Sequence, residues 1–283
     1  MNKNIKKNKI QIIEEIKQNL IKDKNKLNEA FLIDKKQWEI EIKFEKIIEQ
    51  IELVKRKEFL LKLTKEEIID GIGKIALVEV NNPYKILNFV VSCIYTNNKV
   101  EVFLEKRHIT TNKAILEIIK ETIQKLKLPP DTVEFKEKQH LSKIVEEQEK
   151  FDLIYYVGNK ENYLNFIKRL HVETIYENFG EIDVYIDSKD FKEEFMEMDK
   201  FAYYNGFEIN YYTQSLEETA KSMNYNNNIN KISAIFTKEI DNAYEFIKNI
   251  KSENIYINVN PCDYINYDTK LDNLVYSKKI FLH

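Results

Sequence analysis

Few residues in this 283-residue chain have the chemistry of a catalytic or metal-binding group, and their spacing limits them further. The chain has two cysteines, Cys93 and Cys262, and four histidines, at positions 108, 140, 171 and 283. Two cysteines cannot form a four-cysteine zinc site or a disulfide framework. The scattered histidines show no metal-ligand spacing, so the sequence predicts no metal site.

The two cysteines differ as candidate nucleophiles. Cys93 lies in the apolar run FVVSCIY, which is typical of a small core residue. Cys262, in NPCD, follows a predicted strand end, where we expect it to be exposed. It is a weak catalytic candidate, because no nearby histidine or helix start would lower its pKa. A serine nucleophile is not indicated, since the chain contains no G-x-S-x-G sequence.

Lys106 is the better candidate for binding a ligand. It comes directly after the predicted strand VEVFLE, and ligands of open α/β sheets bind beyond the carboxyl ends of the strands. Thr110 or Thr111 is the expected N-cap of the next helix, whose start could bind phosphate. The alternative is that Lys106 is an ordinary solvated lysine.

A glycine pair earlier in the chain resembles a nucleotide-binding motif but is in the wrong place. Gly71 and Gly73 fit the letters of G-x-G-x-x-A. In a dinucleotide fingerprint these glycines follow a strand and open a helix, whereas here they precede the strand IALVEV. We therefore interpret them as a turn that enters the sheet.

The elements that would position these residues alternate between strand and helix from Gly71 onward. Apolar strand patterns are separated by segments of helical periodicity, which indicates a parallel sheet with helices on both faces. The predicted strands of this sheet are 75–80, 100–105, 132–135, 152–158, 173–177 and 181–187. A further strand–helix–strand pattern spans 231–261.

The expected fold is therefore α/β: a Rossmann-like parallel sheet, an N-terminal helical layer and a reduced second α/β domain. Residues 5–66 have helical periodicity without proline or glycine, which favours a helical layer covering the sheet, with a coiled-coil partner site as the alternative. The predicted domains are 1–70, 71–206 and 207–283. The last of these contains the strands FEINYY, KISAIF and NIYINV.

The composition of the chain limits the classes of partner that we expect. Lysine plus arginine number 44 and aspartate plus glutamate 47, a net charge of −3, so we expect no nucleic acid partner. The basic N-terminus turns acidic before any long apolar run, which predicts no signal peptide. No 18-residue apolar stretch is present, so we expect no membrane span and a cytoplasmic protein.

Several segments, in order along residues 70–261, resemble the aldehyde dehydrogenase superfamily and most closely the glutamate-5-semialdehyde dehydrogenases (gamma-glutamyl phosphate reductases). ALVEVNNPYKI is similar to the strand that enters the family's cofactor domain, and KLPPDTVEF to its LP-x-x-x-V strand. TNNKVEVFLEKRHITTNKAI resembles the family segment in which GN, an apolar strand, a basic-glycine run and a TN-type helix start follow one another. DLIYYVGNKENYLNFI resembles its glycine-containing turn and helix. GEIDVYID follows its G-x-x-x-V-Y-V-D pattern, and 231–261 resembles the segment that ends in V-Y-V-N-A-S.

The resemblance implies an NAD(P) site and a cysteine nucleophile. The resemblance places five residues of this chain in the cofactor site: Lys106, Thr111, Asn112, Gly158 and Asn159. Asn159 replaces a glycine of the family's cofactor turn, so we expect NAD(P) to bind weakly or not at all.

No cysteine lies between Cys93 and Cys262, where the family carries its nucleophile. Without that sulfur the family's covalent intermediate cannot form.

Three hypotheses follow. The preferred one is a degenerate, non-catalytic member that acts in binding or assembly, with a related dehydrogenase or with itself. The second is an NAD(P)-dependent oxidoreductase on an aldehyde or acyl phosphate, with its chemistry relocated to Cys262. The third is a likeness of fold alone, with an unrelated partner-binding role. We also expect a homodimer through 207–283, because one face of its strands would otherwise lie exposed.

Overall fold

The computed structural model describes residues 3–38, 41–57, 67–104, 110–137, 141–158, 160–177, 181–187, 191–205, 207–225, 232–252, 254–265, 267 and 269–279. The chain divides into two compact units. The first comprises residues 1–177 together with 267–283, and the second comprises residues 178–266.

The first unit contains a five-stranded parallel sheet, as the alternating pattern predicts. Its helices are α1 (Lys3–Lys22), α2 (Lys24–Trp38), α3 (Phe44–Arg56), α4 (Pro83–Tyr95), α5 (Thr110–Lys125), α6 (Leu141–Glu146) and α7 (Lys160–Ile167). Its first strands are β1 (Glu67–Gly71), β2 (Lys74–Val78), β3 (Lys99–Leu104), β4 (Val133–Glu137), β5 (Leu153–Val157) and β6 (Thr174–Glu177). The sheet order is β4–β3–β2–β5–β6.

Burial explains why the central strands are continuous apolar runs. β5 is buried at every position and β2 at all but its first residue, because helices cover both faces of the sheet. Glycine, proline and asparagine mark the ends of the elements. Asn82 caps α4 by accepting a hydrogen bond from the Lys85 amide at 3.0 Å, and Pro83 occupies the first helical position.

The glycine pair before β2 is a turn at the amino end of the strand, as interpreted from the sequence. Gly73 has a φ of 135°, and a Cβ at this position would lie 2.2 Å from Oδ2 of Asp152. That oxygen accepts a hydrogen bond from the Lys74 amide at 2.7 Å. Gly73 itself donates its amide to Oδ1 of Asn98 at 2.8 Å. The turn is therefore a structural entry to the sheet, far from its carboxyl end.

The N-terminal helices form a layer on the helices that cover the sheet. α1 contacts α3, α4 and α5, and α2 contacts α5, so these helices pack on the helices that cover the sheet. The predicted helical layer is present, and its partner differs from the one expected. Its apolar stripe is buried against α4 and α5 by Ile13, Ile16, Leu20, Ile47, Ile51 and Val54.

The second unit holds a separate four-stranded parallel sheet. Its elements are β7 (Glu181–Ile186), α8 (Lys192–Asn205), β8 (Glu208–Tyr212), α9 (Leu216–Tyr225), β9 (Ile232–Phe236), α10 (Ile240–Asn249) and β10 (Asn254–Ile257). The sheet order is β10–β9–β7–β8. The prediction that 181–187 is the sixth strand of the first sheet is wrong, because β7 pairs with β8 and β9. The predicted boundary after residue 206 consequently falls inside this unit.

Both faces of the second sheet are covered. Ile182, Val184 and Phe236 pack with Met198 and Ala202 of α8 on one face. On the other face, the strands pack against side chains of α9 and α10, among them Ala220, Met223 and Phe246. In the described residues, the face that we expected to be exposed is covered by α8, which lies in the predicted domain 71–206.

The chain then returns to the first unit, which the predicted third domain of 207–283 did not anticipate. The strand β11 (Val275–Lys279) pairs antiparallel with β1. Three buried side chains hold Thr269. Its amide donates to Oδ1 of Asn88 at 2.9 Å, its carbonyl accepts from Nζ of Lys57, and its hydroxyl lies 3.3 Å from Nζ of Lys85. Polar contacts therefore fasten this segment to the first unit.

Among the helices in the described residues, none combines the length and apolarity needed to cross a bilayer.

Candidate functional site

The candidate site is the carboxyl edge of the first sheet, where the strand order reverses between β2 and β5. Of the five residues that the sequence places in a cofactor site, Lys106 and Asn159 lie outside the described residues. Thr111, Asn112 and Gly158 are described, and each is buried. Their contacts show what this edge can bind.

The start of α5, predicted to be a phosphate site, is held by a carboxylate of the protein itself. Asp34, on α2, is fully buried. Its Oδ1 accepts a hydrogen bond from the Thr110 amide at 2.7 Å. Its Oδ2 accepts from the Thr111 amide at 2.8 Å and from the Thr111 hydroxyl at 2.6 Å. Asp34 thus satisfies the first amides and the positive end of the helix dipole, which an anionic ligand would otherwise use.

Asn112 is likewise committed to a protein contact. Its Nδ2 donates to the Asn81 carbonyl at 2.7 Å and ties α5 to the loop that follows β2. Its Oδ1 is buried, and among the described residues it has no hydrogen-bond partner. One buried carbonyl oxygen beside the sheet edge therefore remains available to a donor.

Gly158 lies at the reversal point, beside the residue that follows β2. A Cβ on Gly158 would lie 3.3 Å from Cε1 of Tyr156 and 3.5 Å from Cβ of Glu79. Glu79 has a φ of 64°, which is uncommon for a residue other than glycine. The segments that follow β2 and β5 are therefore neighbours here, and a side chain at position 158 would touch the ring of Tyr156.

A buried charge pair behind this edge was not identified from the sequence. Nζ of Lys85, on α4, lies 2.6 Å from Oε1 of Glu177, and Lys85 is fully buried. The Tyr155 hydroxyl donates to Oε2 of Glu177 at 2.5 Å. Burial, and then the neighbouring Glu177 carboxylate, raises the pKa of Tyr155 far above its usual value. The sequence signal that could have revealed this pair is a lysine within the apolar segment PYKILNFVV.

Neither cysteine presents its thiol to solvent. Cys93 is fully buried in α4, and burial raises the pKa of its thiol well above the usual value. Cys262 is 3% exposed and packs in the second unit with Met198, Ala202 and Phe207. The expectation that Cys262 is exposed is wrong, because the short helical turn Pro261–Tyr264 folds back against α8 and β9.

The second sheet has its own polar cluster where its strand order reverses, between β7 and β9. The Asp187 carboxylate accepts hydrogen bonds from the Thr237 hydroxyl and, at 2.8 Å, from Nδ2 of Asn242. Asn258 closes the cluster, with its Oδ1 accepting from the Thr237 amide at 2.9 Å. These groups satisfy one another. Within the described residues, no group of three or more histidine, cysteine, aspartate or glutamate side chains is arranged to hold a metal ion.

No protein-family model matches the chain, and no curated protein matches its sequence. Solved structures do match its fold. Gamma-glutamyl phosphate reductase from Thermotoga maritima is 14% identical with a TM-score of 0.52, over 90% of this chain and 83% of that one. Glyceraldehyde-3-phosphate dehydrogenase from Methanocaldococcus jannaschii, solved with NADP, is 11% identical with a TM-score of 0.65, over 97% and 89%.

A third match is propionaldehyde dehydrogenase from a Clostridium phytofermentans microcompartment. It is 12% identical with a TM-score of 0.65, over 100% of this chain and 93% of that one. The predicted α/β fold and its resemblance to aldehyde dehydrogenases and gamma-glutamyl phosphate reductases are therefore confirmed at the level of the fold.

The described residues do not fit a phosphate group at the start of α5. A phosphate there would lie beside the buried Asp34 carboxylate, and two negative charges repel each other strongly in a buried site. The α5 amides are also already bonded.

Proposed function

We propose that this protein is a non-catalytic binding or assembly protein with an aldehyde dehydrogenase fold. The observation that carries the proposal is the burial of both thiols of the chain, Cys93 and Cys262. Thiol addition to an aldehyde needs an accessible sulfur that ionises readily. The only two cysteines of the sequence instead pack in the cores of the two units, so neither fits the nucleophile's role.

We further propose that NAD(P) binds weakly or not at all. The Asp34 carboxylate at the start of α5 supports this, since the amides that would bind phosphate already donate to it. The role that we propose for the protein is then assembly with a related dehydrogenase or with a second copy of this chain.

The test combines thiol accessibility with turnover. In the native protein, a disulfide reagent such as DTNB is expected to label neither cysteine, and in denaturant it is expected to label both. Glutamate semialdehyde and small aldehydes are expected to give no turnover with NAD or NADP, and calorimetry is expected to show no micromolar NADP binding.

The Cys262→Ser variant is the control that separates the two enzymatic hypotheses. Turnover above blank that this substitution abolishes would establish an oxidoreductase with relocated chemistry. Micromolar NADP binding that is lost in Lys106→Ala would refute weak cofactor binding.

A further inference from the structure

A row of polar side chains crosses the second sheet on the face that α9 and α10 cover. In the strand register, Asp183 of β7 lies between Asn210 of β8 and Ser233 of β9. Residues that lie side by side on neighbouring strands point to the same face of a sheet. Tyr185 and Ile235, two positions further along β7 and β9, pack with side chains of α9 and α10. The polar row therefore lies beneath these helices.

The carboxylate of Asp183 brings a negative charge into this row. Asp183 is fully buried. Its Oδ1 accepts a hydrogen bond from Nδ2 of Asn210 at 3.0 Å and a longer one from the Tyr212 hydroxyl at 3.4 Å. Both donors are neutral and both belong to β8, so Oδ1 is the oxygen on the β8 side. Oδ2 is consequently the oxygen on the side of β9 and Ser233.

Two buried hydroxyls on the same face have no hydrogen-bond partner among the described residues: Oγ of Ser233 and Oγ1 of Thr219, on α9. Both residues are fully buried. α9 contacts β7, and Thr219 is on its sheet side, because Ala220 and Met223 of the same helix pack in the core of this face. An unsatisfied buried hydroxyl is costly, so two of them beside a buried carboxylate indicate a bound species that completes their contacts.

The chemistry of these groups suits a monovalent metal cation. Oδ2 of Asp183, Oγ of Ser233 and Oγ1 of Thr219 are hard oxygen ligands, and one carboxylate matches one positive charge. Ca²⁺ takes about 6–8 oxygen ligands and draws on more carboxylates than this face provides. A water molecule would satisfy the hydroxyls as well, but a cation adds a direct attraction to the carboxylate, which is strong in a buried site.

We propose that the second unit binds one Na⁺ or K⁺ ion between β7, β9 and α9, with Asp183, Ser233 and Thr219 as side-chain ligands. The ion ties the helix that crosses the sheet to the two strands between which the strand order reverses. The stability of the second unit then depends on the monovalent cation in the solvent. This site goes beyond the proposed function, because it requires neither catalysis nor its absence.

Thermal unfolding of the full-length chain at constant ionic strength tests the site. The protein is dialysed into choline chloride, whose cation is too large for a buried site, and choline is then replaced stepwise by Na⁺ or K⁺. We expect the unfolding temperature to rise by about 3 °C and to saturate near about 100 mM, as mass action requires for a bound ion. The ion that saturates at the lower concentration is the one that the site prefers.

Asp183→Asn is the decisive variant, because it keeps the shape of the side chain and removes its charge. Its amide can also donate to a hydroxyl of the site. We therefore expect the dependence on Na⁺ and K⁺ to disappear, while the unfolding temperature in choline stays within about 2 °C of the parent's. The matched control is Asp241→Asn, an exposed carboxylate on α10, which should retain the full dependence.

Ser233→Ala removes one neutral ligand and should raise the half-saturating cation concentration about tenfold or more. Its control is Ser92→Ala, a fully buried serine of the first unit, which should leave that concentration unchanged. A crystal grown in rubidium chloride gives a direct readout, and we expect an anomalous-scattering peak beside the Asp183 carboxylate.

Equal unfolding temperatures in choline, Na⁺ and K⁺ would indicate a buried water only and would overturn the inference. A rise that Asp183→Asn retains would overturn it too, since it would be a general effect of salt. Neither result bears on turnover, thiol labelling or NADP binding, so the cation site and the proposed function fail independently.

Discussion

At the start of α5, the carboxylate of Asp34 stands where other helix starts hold an anionic ligand. Its two oxygens accept three hydrogen bonds from Thr110 and Thr111, and it is fully buried. One side chain therefore joins α2 to α5 and accepts the hydrogen bonds of the first two amides of α5.

Replacing Asp34 by alanine should destabilise the protein by about 2–4 kcal/mol, because two buried amides and a hydroxyl lose their charged acceptor. Urea unfolding measures the loss. The matched control is Glu29→Ala, an exposed acidic residue on the same helix, which should change stability by less than about 0.5 kcal/mol. Equal losses in the two variants would show that the Asp34 contacts contribute little.

Individual side chains were the hardest part to anticipate. Asp34 and Thr111 are separated by 77 residues, so no local pattern connects them. Lys85 looked like one more lysine of a lysine-rich chain until its ammonium was found between Glu177 and Thr269. Cys262 follows a strand end in polar sequence, and only the turn that packs it against α8 explains its burial. Its local sequence therefore pointed to the wrong environment.

At the scale of elements, the alternation of strand and helix in the sequence was sufficient to predict the strands of the first sheet. Parallel strands that are buried on both faces must be apolar throughout, so β2, β3 and β5 stand out in the sequence. Periodicity says nothing about which neighbour a strand joins. The sequence of β7 suits either sheet, and its pairing with β9 depends on residues about 50 positions later.

The turn before β2 is the element at which backbone geometry is most demanding. Gly73→Ala combines a φ of 135° with a Cβ that would lie 2.2 Å from the Asp152 carboxylate. We expect a loss of about 2–4 kcal/mol in the free energy of unfolding, measured in urea.

Gly158→Ala is the natural comparison, because its Cβ would meet no atom closer than 3.3 Å. It should cost less than half as much as Gly73→Ala. A loss at Gly158 as large as that at Gly73 would mean that the sheet edge, and not the turn, is the more constrained position.

At the scale of the whole molecule, the second unit is an insertion into the first. The chain leaves the first unit after Glu177 and returns at Tyr267. Glu177 and Thr269 both approach Nζ of Lys85, at 2.6 Å and 3.3 Å, so the two junctions lie close together. A short connection can therefore replace everything between them.

A chain in which a Gly/Ser linker of about six residues replaces 178–266 should fold cooperatively. The comparison is residues 1–177 alone, which lack the segment that contacts Lys57, Lys85 and Asn88. We expect the linked chain to unfold at a clearly higher urea concentration than residues 1–177. If the two unfold at the same concentration, the returning segment does not stabilise the first unit.

The returning segment also sets the order in which the protein is completed during synthesis. At roughly 5–20 residues per second, a ribosome needs on the order of ten seconds to add residues 178–266. Throughout that interval the first 177 residues lack β11 and the contact from Asn98 to the Leu274 carbonyl, 176 positions away. The contiguous second unit can finish folding while the first unit still lacks its C-terminal segment. A premature stop codon after residue 266 would therefore damage the unit that contains the N-terminus and leave the later-made unit whole.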